Sequence, residues 1–150
     1  MNELTHALTT MSHSAIEMVS ALEAESLKLP QIDIKTEHAF HAGMYARTIM
    51  IPAGTLLTGA LIQIATILVI SGDVLVFTEG GPKQISGYRV MLGAPGRKQA
   101  FLANIDTHMT MIFPTTATTV QEAEDQFTRE SDRLFSRRDG AANSMTEVEI

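Results

Sequence analysis

Apolar residues near the start of the chain recur at helical spacing. They alternate steps of four and three residues, which places them along one stripe of a helix that packs against another surface. The stripe consists of Leu4, Leu8, Met11, Ala15, Met18 and Leu22. We predict a helical segment over residues 1–29, with a capping box at Ser14 and Glu17 and an end before Pro30. The stripe either lies on the rest of the subunit or joins copies of the chain, with Leu4, Leu8, Met11, Met18 and Leu22 as the oligomer interface.

After Pro30 the pattern changes to short apolar runs separated by turn residues, which is typical of strands. We expect a β-sandwich or barrel over residues 30–116, with turns at Ser71-Gly72-Asp73 and Gly80-Gly81-Pro82. The predicted strands are QIDIK, YARTIMI, TLLTG, LIQIATILVI, DVLVFT, KQISGYRVML, QAFLAN and HMTMIF.

A second helix is predicted after the strands, over residues 117–138. Thr119 and Glu122 form a capping box at its start. The helical face that follows carries Val120, Ala123, Phe127 and Leu134. The tail, residues 139–150, has few large apolar groups, so we expect it to be mobile unless it lies on a neighbouring subunit.

Length and charge narrow the class of protein. A chain of 150 residues suits one domain, and a formal charge of -6 argues against a nucleic-acid partner, which needs clustered basic residues. Two short basic pairs, Arg97-Lys98 and Arg137-Arg138, are interpreted as solvated surface. The chain has no cysteine, so disulfides and thiolate metal sites are excluded.

A membrane partner is not expected either. Residues 48–72 carry no charge and are long enough to cross a bilayer, but Pro52, Gly54 and Gly59 favour strands bounded by turns. The N-terminal sequence is acidic and lacks the features of a secretory signal, so we expect a cytoplasmic protein.

Residues 54–72, GTLLTGALIQIATILVISG, have the spacing of the first cupin motif without its metal-binding residues. The chain resembles the cupin family over about residues 36–115, and is most similar to small cupin-like proteins of phage and prophage genomes. Most of the resemblance lies in TEHAFHAGMYARTIMIPAGTLLTGA. It implies a mainly β protein: a single jelly-roll barrel with an N-terminal amphipathic helix and a C-terminal helix.

The family's metal-ligand positions fall on residues that do not bind metals. The His-x-His positions coincide with Ala60 and Ile62, the acidic position is near Thr66, and the second motif, PGRKQAFLAN, places Gln99 at its histidine. A site for iron, manganese or zinc needs three or four converging imidazole or carboxylate ligands. We therefore expect a metal-free protein with no cofactor and no catalysis.

Two candidate sites remain. Tyr45, Arg47, Gln63 and Gln99 are able to supply polar contacts in a ligand pocket lined by Ala60, Ile62 and Thr66. Alternatively, Glu37, His38, His41 and His108 form a relocated metal site. His108 reaches the pocket only if it faces inward, opposite to Met109 and its neighbours, and the alternation of the strand permits either register.

Three functions are compatible with these observations. The first is non-catalytic self-assembly or protein binding, as a homo-oligomer and a phage virion accessory or structural protein that contacts other phage proteins. The second is a module that binds or sequesters a small molecule in the emptied cupin pocket. The third is a metal-dependent cupin enzyme that uses the relocated histidine site.

Overall fold

The computed structural model describes residues 6–146 and is mainly β. Its helices are α1 (His13–Ser26) and α2 (Val120–Phe127). Its strands are β1 (Ala7–Leu8), β2 (Thr36–His41), β3 (Met44–Ile51), β4 (Leu56–Thr58), β5 (Thr66–Thr78), β6 (Gly81–Gly93), β7 (Ala100–Ala103), β8 (Thr107–Pro114) and β9 (Asn143–Thr146).

Strand β5 joins two layers of sheet. Its first half pairs with β8, from which the layer continues through β3 and β2 to β9. Its second half pairs with β7, which pairs in turn with β4. Strand β6 follows β5 along its whole length in a hairpin closed at Thr78 and Gly81. The chain is thereby rolled into a barrel, and the core lies between the layers.

Strand β5 changes partner from β8 to β7 near Gly72, where the sequence predicts a turn between two strands. Gly72 has a φ of +150°, and a Cβ at this position would lie 2.4 Å from Thr107 Oγ1. The Thr107 hydroxyl oxygen accepts a hydrogen bond from Asp73 N at 3.1 Å. The predicted turn is therefore wrong: one long strand continues through this position, and the glycine lets it pass closely against Thr107. The other predicted turn is present, at Glu79 and Gly80.

Two predicted strands differ from the structure, one of them over its whole length. The run QIDIK is not a strand, because Gln31 Nε2 donates to the carbonyl oxygens of Ser26 and Leu29, at 2.9 and 2.8 Å, and closes a turn there. Residues 61–64 of LIQIATILVI precede β5, and only Ile62 makes a bridge, to Arg97.

The side chains of the strands alternate between the core and the outside. On β8, Met109, Met111 and Phe113 are buried, whereas His108 is exposed. This register fills the barrel with apolar side chains and keeps His108 out of it. On the neighbouring β3, Tyr45 and Arg47 face inward, because they pair with Phe113 and Met111.

The N-terminal stripe is split between two elements. Leu8 lies in β1, which pairs with β6, and Met11 precedes the helix; both are buried in the subunit. Helix α1 begins after Ser12, not Ser14, since the Ser12 hydroxyl accepts a hydrogen bond from Ala15 N at 3.2 Å.

Helix α1 then packs on its own barrel through Val19, near Ala100. Met18 is 74% exposed and Leu22 is half-buried, while Leu4 lies outside the described residues. Leu8 and Met11 are therefore unavailable as oligomer contacts, and the single predicted interface stripe is not formed.

The C-terminal region is more closely attached than its sequence predicts. The Thr119–Glu122 capping box is confirmed, but α2 ends at Phe127 and is followed by two 3-10 turns, Ser131–Arg133 and Phe135–Arg137. Residues 143–146 of the tail then form β9, which pairs in parallel with β2 of the same chain. Residues 143–146 therefore extend the sheet of their own subunit and do not need a neighbouring subunit.

Within residues 6–146, no helix has the length and apolar character required to cross a membrane.

Candidate functional site

A cavity of about 550 Å³ occupies one end of the barrel. Its walls come from both sheet layers, from the end of α1 and from the segment after α2. The inner wall is mainly apolar, and includes Ile49, Leu57, Leu68, Phe101, Met109 and Met111. Leu27, Leu29 and Ile32, at the cavity edge, are 52%, 64% and 45% exposed. A mainly apolar recess with a few polar groups is typical of a small-molecule site.

The structure brings together four of the seven residues predicted for a ligand pocket. Arg47, Ala60, Ile62 and Gln99 line the cavity. Tyr45 lies behind Arg47, which donates to its hydroxyl at 3.4 Å. Thr66 is buried beneath Arg97, whose NH2 donates to the threonine hydroxyl at 2.7 Å.

Gln63 lies outside the predicted pocket. Its side chain is exposed and donates to the carbonyl oxygen of Gln126 at 3.4 Å. This prediction fails because residues 61–64 are not part of a strand, so the alternation that placed Gln63 beside the other polar residues does not apply.

Two buried polar side-chain atoms on residues of the cavity wall have no hydrogen-bond partner within residues 6–146. They are Thr36 Oγ1 and Gln99 Nε2, on residues that are 0% and 4% exposed and line the cavity. Buried donors and acceptors are nearly always satisfied, because each one left unpaired costs about 1–3 kcal/mol. Each atom is enclosed by its neighbours, so the cavity wall contains two polar groups that are unsatisfied within residues 6–146.

The cupin metal positions do not form a metal site. Ala60 and Ile62 have no ligand atom, the Thr66 hydroxyl accepts from Arg97, and Gln99 supplies only an amide. This donor set does not suit iron, manganese or zinc, which require several imidazole or carboxylate ligands.

The relocated histidine site is not assembled either. Among residues 6–146, no three His, Asp or Glu side chains converge closely enough to hold a metal ion. Glu37 and His38 point to opposite faces of β2, and His41 and His108 are exposed. Both His38 ring nitrogens are also occupied, by Tyr45 OH at 2.6 Å and Asn143 Oδ1 at 2.7 Å.

Arg47 belongs to a buried ionic network that attaches the C-terminal segment to the barrel. Its NH1 group lies 2.9 Å from Glu124 Oε2, and its NH2 group donates to Ser136 Oγ at 2.9 Å. Arg137 Nε pairs with the other Glu124 oxygen at 2.8 Å, and the Ser136 hydroxyl also donates to Glu124. Burial alone would raise the pKa of Glu124, but the hydrogen bonds from Ser136, Arg137 and Arg47 outweigh it and lower that pKa.

His38 and Tyr45 extend this network in neutral form. Burial lowers the pKa of His38 against the opposing effect of its hydrogen bond to Asn143. Burial also raises the pKa of Tyr45. The His38–Asn143 contact links β2 to β9 by side chains as well as by backbone.

Lys98 anchors both helical segments near the cavity. Its ammonium group is fully buried and lies 3.3 Å from Glu23 of α1 and 2.7 Å from Glu130 after α2. Burial alone would raise the pKa of Glu130, but hydrogen bonds from Lys98 and from Leu61 N lower it. The interpretation of Arg97-Lys98 as solvated surface is therefore wrong: the residues are 2% and 0% exposed.

Sequence reasoning missed Thr36, Arg97, Lys98 and Glu124 as site residues. The burial of Glu124 could have been predicted, because it follows Ala123 and is four residues after Val120, on the helical face predicted to be buried. Nothing in the sequence pairs Lys98 with Glu23 and Glu130, since these residues are far apart in the chain.

The chain matches no family model and no curated protein. Similar solved structures include a cupin-2 domain containing protein from Shewanella frigidimarina, with 7% identity, 66% of this chain and 98% of that chain covered, and a TM-score of 0.45. A Cupin 2 conserved barrel domain protein from Salinispora arenicola is 10% identical, with 60% of this chain and 84% of that chain covered and a TM-score of 0.48. A salicylate 1,2-dioxygenase from Pseudoaminobacter salicylatoxidans is 13% identical, with 75% of this chain and 34% of that chain covered and a TM-score of 0.48.

The mainly β fold that the sequence predicts, with one helix before the barrel strands in the chain and one after them, is confirmed by the order and pairing of the elements, except that β1 precedes α1 and β9 follows α2. Similarity at these identities and TM-scores transfers no residue role, ligand or reaction to this chain.

We predict that His38 makes stability depend on pH. The unfolded histidine has a pKa of about 6.5, whereas burial lowers the folded pKa. Below about pH 6.5 the unfolded chain therefore binds a proton that the folded chain does not, and the free energy of unfolding falls as the pH drops towards the folded pKa. His38→Gln should flatten this slope in urea unfolding between about pH 7 and pH 5. An unchanged slope would contradict the prediction, and His41→Gln, at an exposed position, is the matched control.

We also predict that Gln99→Leu stabilises the ligand-free protein. The change removes a buried, unpartnered amide nitrogen at similar side-chain volume, so the free energy of unfolding should rise by about 1–2 kcal/mol. The matched control is Gln63→Leu on the exposed surface, which should change it by less than about 0.5 kcal/mol. Both values come from urea unfolding at neutral pH, and a large loss of stability in Gln99→Leu would show that the amide is already satisfied.

Proposed function

We propose that this protein binds a small molecule inside its barrel, without a metal cofactor and without catalysis. The observation that carries the proposal is a mainly apolar cavity of about 550 Å³ whose lining also includes a few polar side chains, among them Arg47 and Gln99. A recess of this kind is typical of a small-molecule site.

The size and lining of the cavity suit a compact organic molecule. A volume of about 550 Å³ lies within the range of about 300–1,000 Å³ that is common for ligand sites. Phe101, Met109 and Met111 offer flat and adaptable apolar surface to the body of the ligand. The exposed apolar residues at the cavity edge, Leu27, Leu29 and Ile32, extend the same surface towards solvent.

This proposal predicts saturable binding of a neutral apolar probe. N-phenylnaphthylamine, whose fluorescence rises in apolar surroundings, should bind one molecule per chain, and the absence of tryptophan keeps the protein's own emission low. Ala60→Phe should weaken binding at least tenfold, because Ala60 lines the cavity and the added ring occupies it. Ala65→Phe is the matched control, since Ala65 is exposed and outside the cavity lining.

Two results would overturn the binding function. One is the lack of saturable binding by the wild-type chain. The other is equal affinity in the wild type and Ala60→Phe, which would place the probe outside the cavity. A native mass spectrum of the purified protein provides an independent readout, because a retained metabolite adds mass to each subunit.

A second candidate function is self-assembly, supported by an exposed apolar face of the sheet. On the outer side of β5 and β6, Ile67 pairs with Leu92 and Val69 pairs with Val90. Ile67, Val90 and Leu92 are 40%, 45% and 61% exposed, and Tyr88 is 69% exposed. A second copy of the chain packing on this face would bury these residues.

On the sequence resemblance alone, such an oligomer serves as a phage virion accessory protein that contacts other virion components.

For this candidate we predict that Leu92→Lys shifts the native mass spectrum from oligomer to monomer, because a charge at the centre of an apolar interface is costly to bury. Met18→Lys, on the exposed side of α1, should leave the oligomer intact. If Met18→Lys produces monomers and Leu92→Lys does not, the interface lies on helix α1 and not on the sheet. If the wild-type protein is a monomer, the assembly function is wrong.

A further inference from the structure

Arg97 differs from the other buried cations of this end of the barrel. Its side chain is 2% exposed, and its guanidinium donates to two neutral acceptors, Ala94 O at 2.6 Å and Thr66 Oγ1 at 2.7 Å. Arg47 and Lys98 each pair with a carboxylate, but Arg97 has no ion pair within residues 6–146. Two of its hydrogen-bonding groups are thus used and its charge is not compensated.

The guanidinium of Arg97 occupies space that a side chain on residue 93 would otherwise fill. A Cβ on Gly93 would lie 2.5 Å from Arg97 Cζ, so the side chain rests directly on the glycine backbone of β6. The hydroxyl of Thr66, opposite Gly93 on β5, fixes its other side. The charge is held in place by the strands rather than by a flexible surface position.

Burial does not remove the charge. It lowers the pKa of Arg97 to about 10, which leaves the guanidinium protonated at neutral pH. A buried charge without a partner costs several kcal/mol, and an anion in contact with it offsets that cost.

Arginines outnumber carboxylates in the lining of the cavity. Four arginines line it, namely Arg47, Arg97, Arg133 and Arg138, against two carboxylates, Glu23 and Asp132. Arg47 pairs with Glu124 and Arg133 with Glu23. Arg138 lies with its guanidinium 4.2 Å from the centre of the Phe135 ring, without an ion pair in the described part of the chain. This concentration of positive charge occurs in a protein whose formal charge is -6, and it attracts small anions to the cavity.

We propose that the ligand of this cavity is a small organic anion: an acidic head group, such as a carboxylate, pairs with Arg97 while an apolar body lies against Leu68, Phe101 and Met109. The inference rests on the proposed binding function and adds the charge of the ligand to it.

The experiment compares two dyes with the same ring system. Anilinonaphthalene sulfonate carries an acidic group, and N-phenylnaphthylamine lacks it. Fluorescence titration of the wild-type chain should show at least tenfold tighter binding of the sulfonate, and the two dyes should compete. Arg97→Met should weaken sulfonate binding at least tenfold with little effect on the neutral dye, and Arg97→Lys should restore part of the affinity. Arg89→Met, at an exposed arginine of β6 outside the cavity lining, should leave both affinities unchanged.

The outcomes separate the two proposals. If neither dye binds the wild type, the binding function itself fails. If both dyes bind in competition but with equal affinity, and Arg97→Met changes neither, the cavity binds small molecules and the anion inference is wrong. The comparison on the wild-type chain does not depend on any variant folding, and thermal unfolding of Arg97→Met checks that its loss of affinity is not a loss of structure.

Discussion

The cost of burying positive charge determines how this molecule is put together. Lys98 and Arg47 are inside the protein, and each requires a carboxylate close by. Glu23 of α1, Glu124 of α2 and Glu130 provide these carboxylates. The helical segments are consequently held against one end of the barrel, where they enclose the cavity. Loss of one partner from such a pair is more damaging than replacement of both, because the remaining charge stays buried and unpaired.

The same constraint distinguishes structural residues from candidate binding residues. Arg47 has its charge compensated and its hydrogen bonds made within the chain, so it positions the C-terminal segment. Arg97 has no ion pair within residues 6–146, although its side chain is as deeply buried. The ligand proposed above would compensate this charge.

The two candidate functions use opposite faces of the same strands. Because side chains alternate along a strand, Leu68 and Ile70 of β5 face the core while Ile67 and Val69 face outward. The inner face gives the cavity its apolar wall, and the outer face gives the exposed apolar pairs with β6. Ligand binding and self-association are therefore compatible in one molecule, since neither uses the side chains of the other.

The sequence by itself determined the elements whose signals are local. Turn residues and alternating apolar runs predicted most of the strands, and the Thr119–Glu122 capping box predicted the start of α2. Only the tertiary structure decided which charges are buried. Arg97 and Lys98 look like surface residues in the sequence, and their burial depends on carboxylates, strands and a glycine that are distant along the chain and adjacent only after folding. The strand through Gly72 and the pairing of the tail with β2 were decided in the same way, because both depend on contacts between segments that no local pattern records.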